Sequence, residues 1–331
     1  MKIGIDAMGG DFAPQAIVKG VVAAAHELSA DVTIVLVGKE TIIVELLKEY
    51  GYDGVQIEVV SAEETIEMGE HPALALKHKP NSSIGIGFEL LKTKAIDIFC
   101  SAGNTGAMLV GAMFSVRAFE GLPRPAIAGL VPQKTGGYAV MLDIGANADC
   151  KPEMLERFGV IGSVFAQYTF NIARPRVALM NIGEEEQKGN ALAQEAYKLL
   201  KANQQINFVG NIEGKDFFED KTDVIVTDGF TGNTLFKLAE SFYNLATHRG
   251  LKDEIIDKLN YEAVGGTPLV GVNGNVMIAH GMSSALAIQN MIKWARKQVE
   301  AGAYVHIAKA LAWPQTRAGF DNPAFFCGVC F

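Results

Sequence analysis

The residues able to do chemistry in this chain are gathered in short polar loops that interrupt apolar runs. Ser101, Gly103, Asn104, Thr105 and Gly106, in the run SAGNTGA, supply hydroxyl, amide and unobstructed backbone N–H donors just before a helical pattern. A helix N-terminus carries unpaired N–H groups and partial positive charge, so such a turn favours a phosphate or a developing oxyanion. The same residues also suit a plain strand-to-helix turn with a good cap. Comparable loops recur: IDAMGGD ending at Asp11, LDIGAN ending at Asn147, GEEEQKGN holding Lys188 and Asn190, TDGFTGN ending at Asn233, and HGMS beginning at His280. Asn147, Asn190 and Asn233 add amides, Lys188 a cation, and His280 a group that gives or takes a proton near neutral pH. Asp6, Asp11, Asp143 and Asp228 suit the ordering of glycine loops better than contact with a phosphate they would repel. Two residues have a plainer reading. Lys188 can balance Glu184, Glu185 and Glu186 in solvent, and His280 can cap the helix that follows it.

The elements that must position these loops alternate between strand and helix. Ile3–Met8, Asp31–Val37, Val55–Val60 and the run from Ile96 to Cys100 read as strands, separated by helical patterns over Ala16–Leu28, Thr41–Tyr50 and Ile84–Lys94. That order predicts an α/β fold with a mostly parallel sheet wrapped by helices. Ala126–Val131 and Tyr138–Asp143 read as one hairpin, and Arg176–Asn181, Ile206–Val209 and Asp223–Thr227 as further strands. Leu235, Leu238, Ala239, Phe242 and Leu245 mark one face of a helix, Leu251–Leu259 a second and more charged helical segment, and Ala285–Glu300 the last long helix. Ser61–Ser83 reads as a polar loop that could close over a site. Pro72 and Pro80 argue against a helix joining His71 to His78, which are expected to be solvated. Ligands of open α/β sheets bind outside the carboxyl ends of the strands, so the polar loops are expected to converge on one cleft.

Composition narrows the function. A chain of 331 residues that is 49% hydrophobic builds a substantial core, and its net charge of −8 argues against nucleic acid as a partner. The sequence contains no run as long as a membrane span and begins directly with strand-like residues, which points to a cytoplasmic protein. Cys100 and Cys150 need no disulfide; Cys100, which has no role in direct phosphate attack, is expected to pack. Cys327 and Cys330 form a C-x-x-C with no second pair to complete a zinc site, so no metal is expected. The glycine signatures of dinucleotide folds and P-loops, the H-E-x-x-H of zinc proteases and the G-x-S-x-G of serine hydrolases are absent, and no cofactor is expected.

Seven segments in order, IDAMGGDFAP, SAGNTGA, LDIGAN, NIGEEEQKGN, FVGNIEGKDF, TDGFTGN and GGTPLVGVNG with its downstream HG, resemble the bacterial phosphate acyltransferase family over about residues 1 to 300. The resemblance implies an α/β/α sandwich similar to the isopropylmalate dehydrogenase and phosphotransacetylase folds, and a homodimer. It implies transfer of a long-chain fatty acyl group from acyl carrier protein to inorganic phosphate, giving the acyl phosphate used in phospholipid synthesis, with peripheral membrane contact. Phosphate near neutral pH needs little help from a base, and a thiol leaves readily, so oriented donors and one or two cations suffice. In this reading Lys188 neutralises phosphate, Asn190 and Asn233 orient it, and His280 protonates the leaving thiolate. Ser101, Gly103, Asn104, Thr105, Gly106 and Asn147 hold phosphate or the thioester oxygen. Arg117, Arg124 and Lys134 are candidates for meeting an acidic carrier.

Two departures from the family pattern stand out. A short interval, Glu240 to Tyr261, occupies the place of a longer helical hairpin, and the end of the chain has no counterpart. Residues 1–311 are accordingly expected to form one α/β catalytic domain with a short helical insertion near 235–260, followed by an atypical tail, 312–331. A phosphotransacetylase acting on short acyl-coenzyme A, or a non-catalytic anion-binding scaffold on the same fold, are the competing readings.

Overall fold

The computed structural model describes residues 1–312, so Cys327, Cys330 and nearly all of the tail lie outside the described residues. Strands form where β-branched and apolar residues run together. In chain order they are β1 (Lys2–Asp6), β2 (Thr33–Gly38), β3 (Ile57–Ser61), β4 (Ile98–Ser101), β5 (Ala126–Ile127), β6 (Gly129–Pro132), β7 (Tyr138–Leu142), β8 (Arg176–Met180), β9 (Asn207–Ile212), β10 (Val224–Val226), β11 (Thr267–Val270) and β12 (Asn275–Ile278). They build two sheets, ordered β3-β2-β1-β4-β12-β11-β5 and β6-β7-β10-β8-β9. In the first, β3 through β12 run parallel and β11 is antiparallel to both its neighbours. In the second, β7, β10, β8 and β9 run parallel and β6 is antiparallel to β7.

Helices cover both faces of each sheet, so the central strands are apolar on both sides. Ile34 and Leu36 of β2 face a core shared with the helices Gln15–Glu27 and Ala285–Ala301, while Val35 and Val37 face one shared with Ser83–Lys92 and Thr105–Ser115. The second sheet packs Val140, Leu142 and Val224 against the helices Pro152–Phe170, Ala191–Ala202 and Ala303–Leu311. Its other face, with Val131, Met141 and Ile225, takes Ala239 of the helix Gly229–His248.

Three local expectations are corrected. Ala126–Val131 is two strands in different sheets, divided at Ala128, whose N–H donates to the Pro268 carbonyl at 2.9 Å; the two pieces are equally apolar, so nothing in their composition marks the break. Residues within Ser61–Ser83 form a helix, Pro72–His78, that fits between the prolines: Pro72 begins it, where its missing N–H costs nothing, and Lys79 ends it before Pro80. His71 and His78 are exposed at its ends. In Leu251–Leu259 only Glu254–Asp257 is helical, capped by Asp253, and Tyr261–Val264 forms another single turn.

Candidate active site

Three loops leave the carboxyl ends of the neighbouring strands β1, β4 and β12 and interlock. Asp6, fully buried at the end of β1, accepts the Ser101 hydroxyl at 2.6 Å and the Met8 N–H at 3.0 Å. Ser101 in turn accepts the Gly103 N–H at 2.9 Å, so its hydroxyl is committed to the loop network. Burial raises the Asp6 carboxyl above the ordinary carboxylate range, against the pull of these hydrogen bonds. Gly9 has to be glycine: a Cβ there would lie 2.7 Å from the Gly103 nitrogen. The Asp11 N–H donates to the Gly281 carbonyl at 2.7 Å, which ties the first loop to the third.

Asn104 caps the helix Thr105–Ser115, its Oδ1 accepting from the Ala107 N–H at 3.0 Å. Its Nδ2 donates to three carbonyls, those of Glu67 (3.1 Å), Met68 (3.1 Å) and Glu70 (2.9 Å). Both ends of this buried amide are therefore occupied, and it holds the strap Glu67–Glu70 beside the helix start. Lys79 ties the same strap through the Thr65 carbonyl, at 2.8 Å, and Glu70. Thr105, the next residue, is exposed to solvent. Gly106 admits the ring of Pro72, whose Cγ would be 2.4 Å from a Cβ.

The second sheet repeats this logic at β7, β10 and β8, which are also neighbours. Asp143, with no exposed surface, accepts the N–H groups of Ile127, Gly145, Ala146 and Asn147 and the Asn147 side-chain amide, at 2.6 to 3.2 Å. Asn147 spends its second amide hydrogen on the Pro125 carbonyl at 2.8 Å, and its Oδ1 is buried without a partner among the described residues. Asp228 caps the helix Gly229–His248 through the Thr231 N–H and hydroxyl, each at 2.8 Å. Asn233 is on the first turns of that helix with no side-chain hydrogen bond among the described residues. Gly145, at φ 140°, lets it approach, since a Cβ there would meet its Nδ2 at 2.8 Å.

The loop after β8 carries Lys188. Two of the neighbouring acids have other partners, Glu184 with Lys221 at 3.3 Å and Glu186 with Lys201 at 2.7 Å. Lys188 is exposed, as its plainer reading as a solvated lysine expects, and has no ion-pair partner among the described residues. Asn190 is the N-cap of Ala191–Ala202, accepting the Ala193 N–H at 2.9 Å.

Between the two sets of loops is a cleft of about 530 Å³. Asp11, Thr105, Asn233 and His280 line its polar end, and Leu130, Val131, Phe217, Phe236 and Ala239 are among its apolar walls. Asp6, Ser101, Asn104, Asp143 and Asn147 form the frame beneath, and Lys188 and Asn190 stand on the adjoining loop rather than in its lining. His280 does not cap the last helix, because Ser284 does so through the Ala287 N–H. Its Nδ1 accepts the Met282 N–H at 3.1 Å, so the neutral ring carries its proton on Nε2. The sequence reading missed Phe236, Lys237 and Glu240, which follow Asn233 at helical spacings of three, four and seven and line the same cleft. That spacing was the available signal. Lys134, offered as a surface cation, is paired with Glu219.

A family model described as "Fatty acid synthesis protein" matches residues 1–306. Phosphate acyltransferase of Dictyoglomus thermophilum is 47% identical over 319 residues, covering 91% of this chain and 94% of the relative, and that of Syntrophomonas wolfei is 42% identical over 298 residues, covering 88% and 93%. The chain belongs to the phosphate acyltransferase family. Members of this family are acyltransferases, and so is this chain. Its fold is that of a phosphotransacetylase from Streptococcus pyogenes, with a TM-score of 0.63 at 19% identity, covering 92% of this chain and 94% of that one. A branched-chain phosphotransacylase from Enterococcus faecalis superposes with a TM-score of 0.53 at 15% identity, covering 90% and 99%. The expected α/β fold with mostly parallel strands is therefore what the chain adopts.

Proposed function

We propose that this member of the family moves a long-chain fatty acyl group from the thioester of acyl carrier protein to inorganic phosphate, supplying acyl phosphate for phospholipid synthesis. The observation that carries the reading is the cleft itself, polar at the strand ends and apolar along its walls, which suits an anion at one end and an acyl chain at the other. A phosphate oxygen attacks the thioester carbonyl, the C–O bond forms, the C–S bond breaks, and the proton of hydrogen phosphate passes to the leaving sulfur. His280 Nε2–H can give that proton and recover it from phosphate. Asn233, whose amide is uncommitted, orients phosphate. Lys188 neutralises it from the adjoining loop, and the N–H groups of Thr105 and Gly106 stabilise the carbonyl oxygen. Ser101, Asn104 and Asn147 act through the loops they hold, as do Asp6, Asp143 and Asp228; Asn190 fixes the start of its helix. Residues 1–311 act as one catalytic unit in this proposal, since both sheets contribute to the cleft.

Purified protein incubated with palmitoyl-acyl carrier protein and phosphate should give acyl phosphate that hydroxylamine traps. Product from acetyl-coenzyme A alone would favour a phosphotransacetylase, and no product from either donor would sink the proposal. Lys188→Ala should lower turnover at least tenfold, about 1.4 kcal/mol of transition-state stabilisation; unchanged turnover would remove Lys188 from the mechanism. Homodimer formation and peripheral membrane contact belong to the same proposal, and sedimentation of the protein alone and with anionic vesicles tests both.

A further inference from the structure

The His280 side chain is exposed, and its hydrogen bond among the described residues is the one that Nδ1 accepts from the Met282 N–H. A bond to one ring nitrogen selects the tautomer but leaves the plane of the ring loosely set, because the torsion that turns an imidazole is broad. Tyr261 supplies the second contact. Its ring lies against the imidazole with centroids 5.1 Å apart and planes inclined by 32°, within the separation that aromatic pairs favour. The same tyrosine donates its hydroxyl to the Met282 carbonyl at 3.3 Å, so it holds both the imidazole and the residue whose N–H the imidazole accepts. Both rings line the cleft. Tyr261 is in turn placed by the last long helix. Its single turn is opened by Asn260, whose Oδ1 accepts the Glu262 N–H at 3.1 Å, and closed by the Gly265 N–H, which donates to the Tyr261 carbonyl at 2.8 Å. The Glu262 carboxylate accepts the Ser284 hydroxyl, and the Glu262 carbonyl accepts the Asn290 side-chain amide at 2.8 Å. Gly265, at φ 80°, lets the turn meet that helix, since a Cβ there would lie 2.3 Å from the Ala287 carbonyl oxygen. Ser284 caps Ala285–Ala301 and the His280 loop leads into it, so tyrosine and histidine are fixed to one body.

We infer that Tyr261 is a positioning residue for the acyl transfer: its ring holds the His280 imidazole in the plane that aims Nε2–H at the leaving sulfur. This rests on the proposed role of His280 as proton donor. It assigns the work to the ring rather than to the hydroxyl, because the ring meets the imidazole itself and the hydroxyl reaches only the neighbouring Met282 carbonyl.

Tyr261→Leu should lower kcat at least tenfold while KM for palmitoyl-acyl carrier protein and for phosphate stays within about twofold. Tyr261→Phe keeps the ring and should stay within about threefold of the unmodified enzyme. In a His280→Gln background, Tyr261→Leu should lower the remaining turnover by less than about twofold, because its effect passes through the imidazole. Unchanged kcat in Tyr261→Leu, an equal loss in both backgrounds, or a Phe variant as impaired as the Leu variant overturns the inference. Nuclear magnetic resonance of histidine-labelled protein reads the ring without turnover. The carbon-bound ring protons of His280, assigned as the signals missing from His280→Gln, should be shifted upfield by the tyrosine ring current in the unmodified protein and in Tyr261→Phe, and should lose that shift in Tyr261→Leu. Unshifted His280 signals in the unmodified protein overturn the inference even if Tyr261→Leu does not fold. Failure of the acyl-transfer proposal looks different: the unmodified protein would give no acyl phosphate, while the ring shift would still report whether Tyr261 sets the imidazole.

Discussion

Asn104 is the residue whose role changes most between sequence and structure. Its type and position before a helix predict an anion donor, yet its oxygen is fixed by the Ala107 N–H and its nitrogen by three carbonyls. Asn104→Asp keeps the cap acceptor and turns the donor face into an oxygen opposing those carbonyls. We expect amide exchange over residues 67–70 to quicken at least tenfold while the helix Thr105–Ser115 stays protected; equal protection of the strap would refute its tether. Glu240 makes a second prediction. Burial holds its carboxyl above the ordinary carboxylate range, so the folded state binds more protons than the unfolded chain. Stability then falls as pH rises from the unfolded pKa, about 4.3, through the higher folded value. Glu240→Gln should raise Tm at pH 8 and not at pH 4, and an equal shift at both would contradict the assignment. What the sequence showed at this scale was which side chains had chemistry to offer. Which of them would be consumed by their own loops depends on partners as distant in sequence as Asp6 and Ser101, and no local pattern carries that.

Elements were legible where period and punctuation agreed. Strands β1, β2, β4 and β7 follow from apolar runs that end in polar, glycine-containing loops, the helices after Ser101 and Asp228 from their capping residues Asn104 and Asp228, and the helix after Asp143 from Pro152 at its start. The division at Ala128 was not, because both β5 and β6 are buried and neither alternates in polarity. The short turns after Gly250 were overread as a helix because charges at helical spacing do not by themselves bury a face. The start of Gly229–His248 gives the element-scale prediction. A Cβ at Gly232 would lie 1.9 Å from the Asp143 carbonyl oxygen, so this helix can approach the β7 loop only through glycine. Gly232→Ala should cost about 3 kcal/mol and displace Asn233 with it. Gly250→Ala, where φ is 67° and nothing lies within 4 Å, should cost about 1 kcal/mol. A reversed order in chemical denaturation would count against the crowding argument.

Across the whole molecule, the two sheets share a core. Ala126 and Val270 of the first sheet, with Ala128 at the break between the sheets, belong to the same apolar cluster as Val140, Leu142 and Val224 of the second. Residues 1–311 should therefore unfold as one unit. Far-UV circular dichroism and tryptophan fluorescence should give coincident midpoints in guanidinium chloride, and two separated transitions would mean that each sheet folds with its own core. Cys100 and Cys150 offer a chemical probe of the same transition. Burial raises both thiols, Cys150 to about 11, so mass mapping at pH 8 should find them alkylated at least 100-fold faster after unfolding.

The cleft wall also contains two exposed thioethers, Met68 on the strap at 46% and Met282 beside His280 at 53%. Peroxide would convert either into a polar sulfoxide in the middle of an apolar contact surface, and Met68 already sits so near Gly281 that its methyl would be 2.9 Å from a Cβ there. Turnover measured on aged or aerated protein would then report its oxidation history as much as its mechanism, and an intact-mass check for added oxygen belongs beside every kinetic comparison.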